Sequence, residues 1–309
     1  MFLDYLNSLP GALNLGLIWC IAGIGVYITY KILDIPDLTV DGSFVTGAII
    51  SAVIINSGGH YLLAMFLGFI GGVLCGIVTG LLHTLLGIPP ILSGILTQLA
   101  LWSVNLIISE NKSIVSVSVR KFEVIFSQIN IYDTLWKAAL IAAIVIAILY
   151  WFFGTQLGCS IRATGNNQKM SRAQGINTKL NIVIALALSN GIVALAGSML
   201  AQYQGFADIN MGRGAIVICL SAVVIGGLIF NKFAKNFAVR LSSVIVGSLI
   251  YFFVYQTVIF FGLEPNLMKM LTAVVVAIFL GIPYIQRTYF GQFRRWQENK
   301  KLRKTGGNE

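Results

Sequence analysis

Asp37, Asp41 and Asp208 are the acidic residues whose placement invites chemistry. Each lies in a polar, glycine-containing stretch, 34–43 or 205–214, just ahead of a short apolar run. A carboxylate in that position has two uses. It can accept the orphan N–H groups at a helix N-terminus, as the Asp41-Gly42-Ser43 run suggests. It can instead touch a solute that crosses the apolar layer beside it. Asp37, Asp41, Ser43, Asp208 and Asn210 are therefore the candidates for a translocation path. Catalysis has far less support. The two histidines, His60 and His83, are far apart and have no acidic neighbours in sequence, and no HExxH, GxSxG or GxxxxGK[ST] motif occurs. The chain is expected to be no enzyme and to bind neither nucleotide, metal nor cofactor.

The elements that hold these carboxylates follow from composition. Of 309 residues, 57% are hydrophobic and 10% charged, with mean hydropathy +0.85. Soluble domains carry about 25% charged residues, so water is excluded as the main solvent of this surface. Nine apolar segments lie near 11–31, 43–57, 61–86, 90–109, 134–153, 180–203, 213–230, 236–261 and 265–285. In hydrocarbon every backbone polar group must be paired internally, which makes these segments helices. The fold class is all-α, a polytopic transmembrane bundle. The third segment carries Gly68, Gly72, Gly76 and Gly80 on one face, a spacing that lets a second helix approach closely. Cys20, Cys75 and Cys219 fall inside apolar runs, and with Cys159 they have no metal or redox spacing.

Basic residues orient the bundle. Lys31, the 154–180 loop, the 231–240 turn and the tail 286–309 hold fifteen Lys and Arg, against six on the other side. The first side is expected to be cytoplasmic, which puts the N-terminus outside and the C-terminus inside. The basic tail is read as a topology and lipid-contact feature, without nucleic acid as a partner. The N-terminus has no signal-peptide pattern, so the first apolar run is expected to be retained.

Two halves of the chain resemble each other. IPDLTVDGSFVTGA from Ile35 aligns with FADINMGRGAIVIC from Phe206, and PILSGILTQLA from Pro90 with PNLMKMLTAVV from Pro265. Repeat one spans 11–109 and repeat two 180–285, with a linking helix at 134–153 and a loop at 154–180, all in one domain of 1–285. A single extra crossing between them inverts the second, giving two inverted four-segment repeats. The short second segment of each repeat reads as a broken helix near the path.

The 158–177 loop, GCSIRATGNNQKMSRAQGIN, is the most informative stretch. Gln168 to Gln174 contains good helix formers, Asn166 or Asn167 can cap its start, and Gly175 can end it. The loop resembles the G-x-x-x-R-A-x-G-x-N…A…G-I-N stretch of permease subunits of the branched-chain amino acid and ribose type of ABC importers. The resemblance covers nearly the whole chain, including DLTVDGSF. It implies that Arg162, Ala163, Gly165, Asn166, Arg172 and Gly175 belong to a loop that docks on an ATPase, with Gly165 in a tight turn. It further implies a second permease copy as homodimer partner, an extracellular solute-binding protein and a bacterial cell membrane. The 110–133 segment is a candidate contact for the binding protein or an amphipathic loop lying on the membrane. The DLTVDGSF variant looks like an amino-acid subgroup, with aromatic amino acids as one option and sugars or nucleosides as others. An ion-coupled carrier, a membrane enzyme and a channel are the competing classes.

Overall fold

The computed structural model describes residues 2–117, 124–230 and 236–260, with isolated positions between 270 and 281. The expected segment at 265–285 falls largely outside these residues, and the basic tail entirely so. Helix α1 (Phe2–Tyr27) runs into a π-helical turn, Ile28–Leu33. After a non-helical stretch, α2 (Val40–Asn56), α3 (Tyr61–Thr84) and α4 (Pro90–Ile108) follow. Strand β1 (Ile114–Ser116) precedes α5 (Ile131–Gly154), and α6 (Gln156–Asn166) and α7 (Gln168–Ala173) come next. The chain then forms α8 (Thr178–Gln204), β2 (Phe206–Asp208), α9 (Ala215–Phe230) and α10 (Phe237–Phe260). Among the described residues six helical spans are long and apolar enough to cross a membrane, while α2 and α9 are apolar but shorter. The molecule is an all-α polytopic membrane protein.

Two helices form the centre. In α1 and α8, 83% and 78% of the most apolar stretch is buried, against 22% in α5. Around them, α3 and α5 turn large apolar side chains such as Phe66, Leu74, Trp136 and Trp151 outward, as a lipid-facing surface requires. The four glycines of α3 lie against α8. A Cβ on Gly68 would run into the Ser198 hydroxyl, and Cβ atoms on Gly72 and Gly76 into the Asn190 and Leu186 carbonyls. On Gly80 it would come 2.9 Å from Val183 Cα. Bare backbone along this face is what lets the two helices touch.

Three features depart from the sequence reading. A short antiparallel ladder joins β1 to β2, pairing Ile114 with Asp208 and Ser116 with Phe206. It draws part of the 110–133 segment onto the body of the protein and buries Val115, Val117 and Phe126. The π turn extends α1 to Leu33. Finally, Gly165 is not in a tight turn. It lies within α6, where a Cβ would strike the Ile32 carbonyl, so its smallness serves contact between α6 and the end of α1.

Candidate functional site

The first turns of the two short helices touch. Asp41 lies in the first turn of α2, and its carboxylate oxygens accept from the backbone N–H groups of Gly214 (3.0 Å) and Ile216 (2.9 Å) at the start of α9. The capping chemistry expected of Asp41 is present, but it serves the helix of the other half of the chain. One carboxylate thus faces two helix N-termini, each carrying about half a positive charge.

Asp37 is 3% exposed and makes a different set of bonds. It accepts from the Thr39 N–H at 2.9 Å and from the Asn190 amide at 2.7 Å. The Asn190 side-chain oxygen in turn accepts from the Ser43 hydroxyl at 2.7 Å. The Thr39 hydroxyl meets that of Thr79 at 2.8 Å, which meets that of Thr97 at 3.0 Å. This buried chain of polar groups links α2, α8, α3 and α4, close to the midpoint of α8. Its partners are neutral, so hydrogen bonding alone compensates for burying the Asp37 carboxyl.

Asp208 and Asn210 do not join this cluster. Asp208 is half-buried and accepts from the Asn210 N–H at 2.8 Å, closing its own local turn. Asn210 is exposed.

Beside Asp41 opens a pocket of about 270 Å³. Gln98, Trp102 and Asn105 of α4 line it, with Asp41 and Arg213. Asn105 is 1% exposed, and its side-chain oxygen has no hydrogen-bond partner among the described residues. Sequence reasoning passed over Asn190, Gln98, Trp102, Asn105 and Arg213. The available signal was polar side chains inside otherwise apolar spans, which membranes tolerate only with a partner or a purpose.

At the other end of α8 lies the loop singled out from sequence. Asn167, not Asn166, caps α7 by accepting from the Met170 N–H at 3.0 Å, and Gly175 follows the helix with φ +82°. Asn166 is the exposed last residue of α6, and Ala163 is half-buried one turn earlier. Asn181 of α8 donates to Ser160 (2.8 Å) and Thr164 (2.9 Å) of α6, and Arg172 Nε donates to Thr178 at 2.8 Å. The Arg162 guanidinium sits 5.4 Å from the centre of the Phe237 ring. A polar pocket of about 360 Å³ lined by Lys31, Asp34, Arg162, Asn166 and Arg240 opens beside the contact of α6 with the end of α1. On α7, Lys169, Met170 and Arg172 are exposed.

Residues 8–280 match the family described as branched-chain amino acid transport system / permease component. The chain belongs to that family. A tyrosine transport system permease protein of Clostridioides difficile (strain R20291) is 35% identical, over 89% of this chain and 91% of its own. A fructose import permease protein of Bifidobacterium longum is 26% identical, over 78% and 68% respectively. An uncharacterised protein of Rickettsia prowazekii is 33% identical, over 89% and 97%. The protein is accordingly the transmembrane permease subunit of an ABC importer, embedded in the cell membrane by several spans.

Proposed function

We propose that this permease moves an amino acid along a path beside the abutting starts of α2 and α9, driven by an ATPase docked on α7. The observation that carries the reading is Asp41, which joins the first turns of two short helices next to a polar pocket. Broken helices whose N-termini meet near a solute site are a recurring transporter device. The pocket lined by Gln98, Asn105, Asp41 and Arg213 cannot open onto hydrocarbon without heavy cost. It therefore faces a water-filled path or a second copy of the permease across α4. The amino-acid assignment draws on the tyrosine permease relative, with sugars as the competing class given the fructose permease.

The reading includes two inverted repeats with α5 as the link, and helix packing among the first three segments of each half supports it. The helix α1 packs on α8, α9 and α10, and α8 packs on α1, α2 and α3, as exchange of the halves demands. The starts of α2 and α9, Val40 and Ala215, are offset in sequence as Pro90 and Pro265 are. In this arrangement the N-terminus is outside, the tail from 286 is cytoplasmic, and an extracellular binding protein delivers solute at the β1–β2 end.

Coupling would run from α7, through α6, to the π turn against Gly165 and on to Asp37 and α2. Arg162, Ala163, Gly165, Asn166, Arg172 and Gly175 would then hold α7 in place, while Lys169 and Met170 meet the ATPase. Copurification with an ABC ATPase, followed by ATP-driven uptake into vesicles, tests the reading. Arg162→Glu and Gly165→Trp are expected to abolish uptake and ATPase binding together. Full activity of both variants, or uptake driven by an ion gradient with no ATPase, would sink it.

A further inference from the structure

A buried amide oxygen without a partner is costly and uncommon. Asn105 holds one on α4, where leucine would pack without that cost. The same pocket holds two other groups waiting for a ligand. Trp102 is 46% exposed and offers an aromatic face. Arg213 is exposed, and its guanidinium is engaged by no described residue. The Asp41 oxygens are turned to two backbone N–H groups, and among the described residues no ion pair joins Asp41 to Arg213. The pocket, about 270 Å³, lies near the lower end of the range that holds small ligands.

We propose that Asn105 is a specificity-determining residue, accepting a hydrogen bond from the ammonium group of a zwitterionic aromatic solute whose carboxylate meets Arg213 and whose ring lies on Trp102. The membrane subunit then selects its solute rather than passing whatever is delivered. A polar group left unpaired by the wrong solute discriminates far better than an apolar wall does. A neutral sugar would leave Arg213 without a counter-charge, which is why the zwitterion is preferred here. The inference rests on the reading that solute passes beside α2 and α9.

The test uses the full chain in lipid nanodiscs with radiolabelled L-tyrosine, 3-(4-hydroxyphenyl)propionate, which lacks the ammonium, and D-ribose. Asn105→Leu is expected to weaken L-tyrosine binding about tenfold to hundredfold, leave the propionate unchanged, and keep or raise the melting temperature. Asn105→Gln, which retains the acceptor, should recover part of the affinity. Equal loss for both ligands together with a lower melting temperature would make Asn105 structural and overturn the proposal. So would wild-type affinity in Asn105→Leu, binding of D-ribose in place of tyrosine, or no binding of any probe. The underlying path is tested separately by labelling Leu99→Cys, at the pocket wall, with a bulky maleimide in the assembled importer. Unhindered uptake after labelling removes the path itself. Blocked uptake with unaltered selectivity in Asn105→Leu removes the inference alone.

Discussion

The two breaks in the bundle, 34–39 before α2 and 205–214 before α9, look alike in sequence and are held in opposite ways. The first is fastened from within: Asp37 binds Thr39 and Asn190, and Thr39 reaches Thr79. The second has a half-buried Asp208 that closes only its own turn, and exposed residues at Asn210 and Arg213. Its helix takes its cap from Asp41, in the first half. A repeat in sequence therefore does not become a repeat in stability. One break is an anchor of buried side chains, and the other is held by the backbone ladder of β1 and β2 and by Asp41 at the start of its helix.

Four substitutions would break or sharpen this contrast. The largest effect is expected from Asn190→Leu, which strips the buried Asp37 carboxyl of its amide partner. It should cost about 3 kcal/mol or more, read by denaturant unfolding in detergent, and a loss under 1 kcal/mol would refute the anchor. Next is Asp41→Ala, at about 2 kcal/mol for two charge-assisted bonds at a helix start. The cost should appear locally, as roughly 25-fold faster hydrogen exchange at Gly214 and Ile216 with little change in α2, and ATP-driven uptake should fall. Uniform loosening of both helices would show that Asp41 does not serve α9 alone. Thr79→Val should cost about 1 kcal/mol by cutting the hydroxyl chain to Thr39 and Thr97, and no change would mean that the chain is incidental. Asp208→Ala should cost no more than about 0.5 kcal/mol, because its local bonds to Asn210 can be replaced by water. An effect as large as that of Asn190→Leu would erase the contrast.

What the sequence displayed was whatever depends on near neighbours or on period. The apolar runs showed the six long spans and the two shorter apolar helices, α2 and α9. The four-residue spacing of Gly68 to Gly80 showed a bare face, though not that α8 lies on it. The Asn167 cap and the Gly175 stop sat within a few residues of the helix they bound. What stayed hidden was long-range. Nothing near Asp41 says that its partners are at Gly214 and Ile216, and two strands of three residues each, β1 and β2, are too short to show a pattern. Asn190 and Asn105 were visible as polar residues in apolar spans. Only packing separates the one that binds Asp37 from the one whose oxygen is left open.

The π turn at Ile28–Leu33 carries one consequence of its own. A π turn takes up one residue more than an α turn, and an α-helix rotates by about 100° per residue. Removing one residue as the turn relaxes to α geometry would keep the phase of the following chain, whereas relaxing it at full length would swing that chain by about 100°. Asp37 would then point away from Asn190, although every side chain of α1 kept its place. A one-residue deletion in the turn that still forms a disulfide between cysteines placed at 37 and 190, where a one-residue insertion does not, would display this. The rotational phase of the anchor is set by a count of residues rather than by their identity, so the segment should tolerate many substitutions and the loss of its extra residue, but no gain in length.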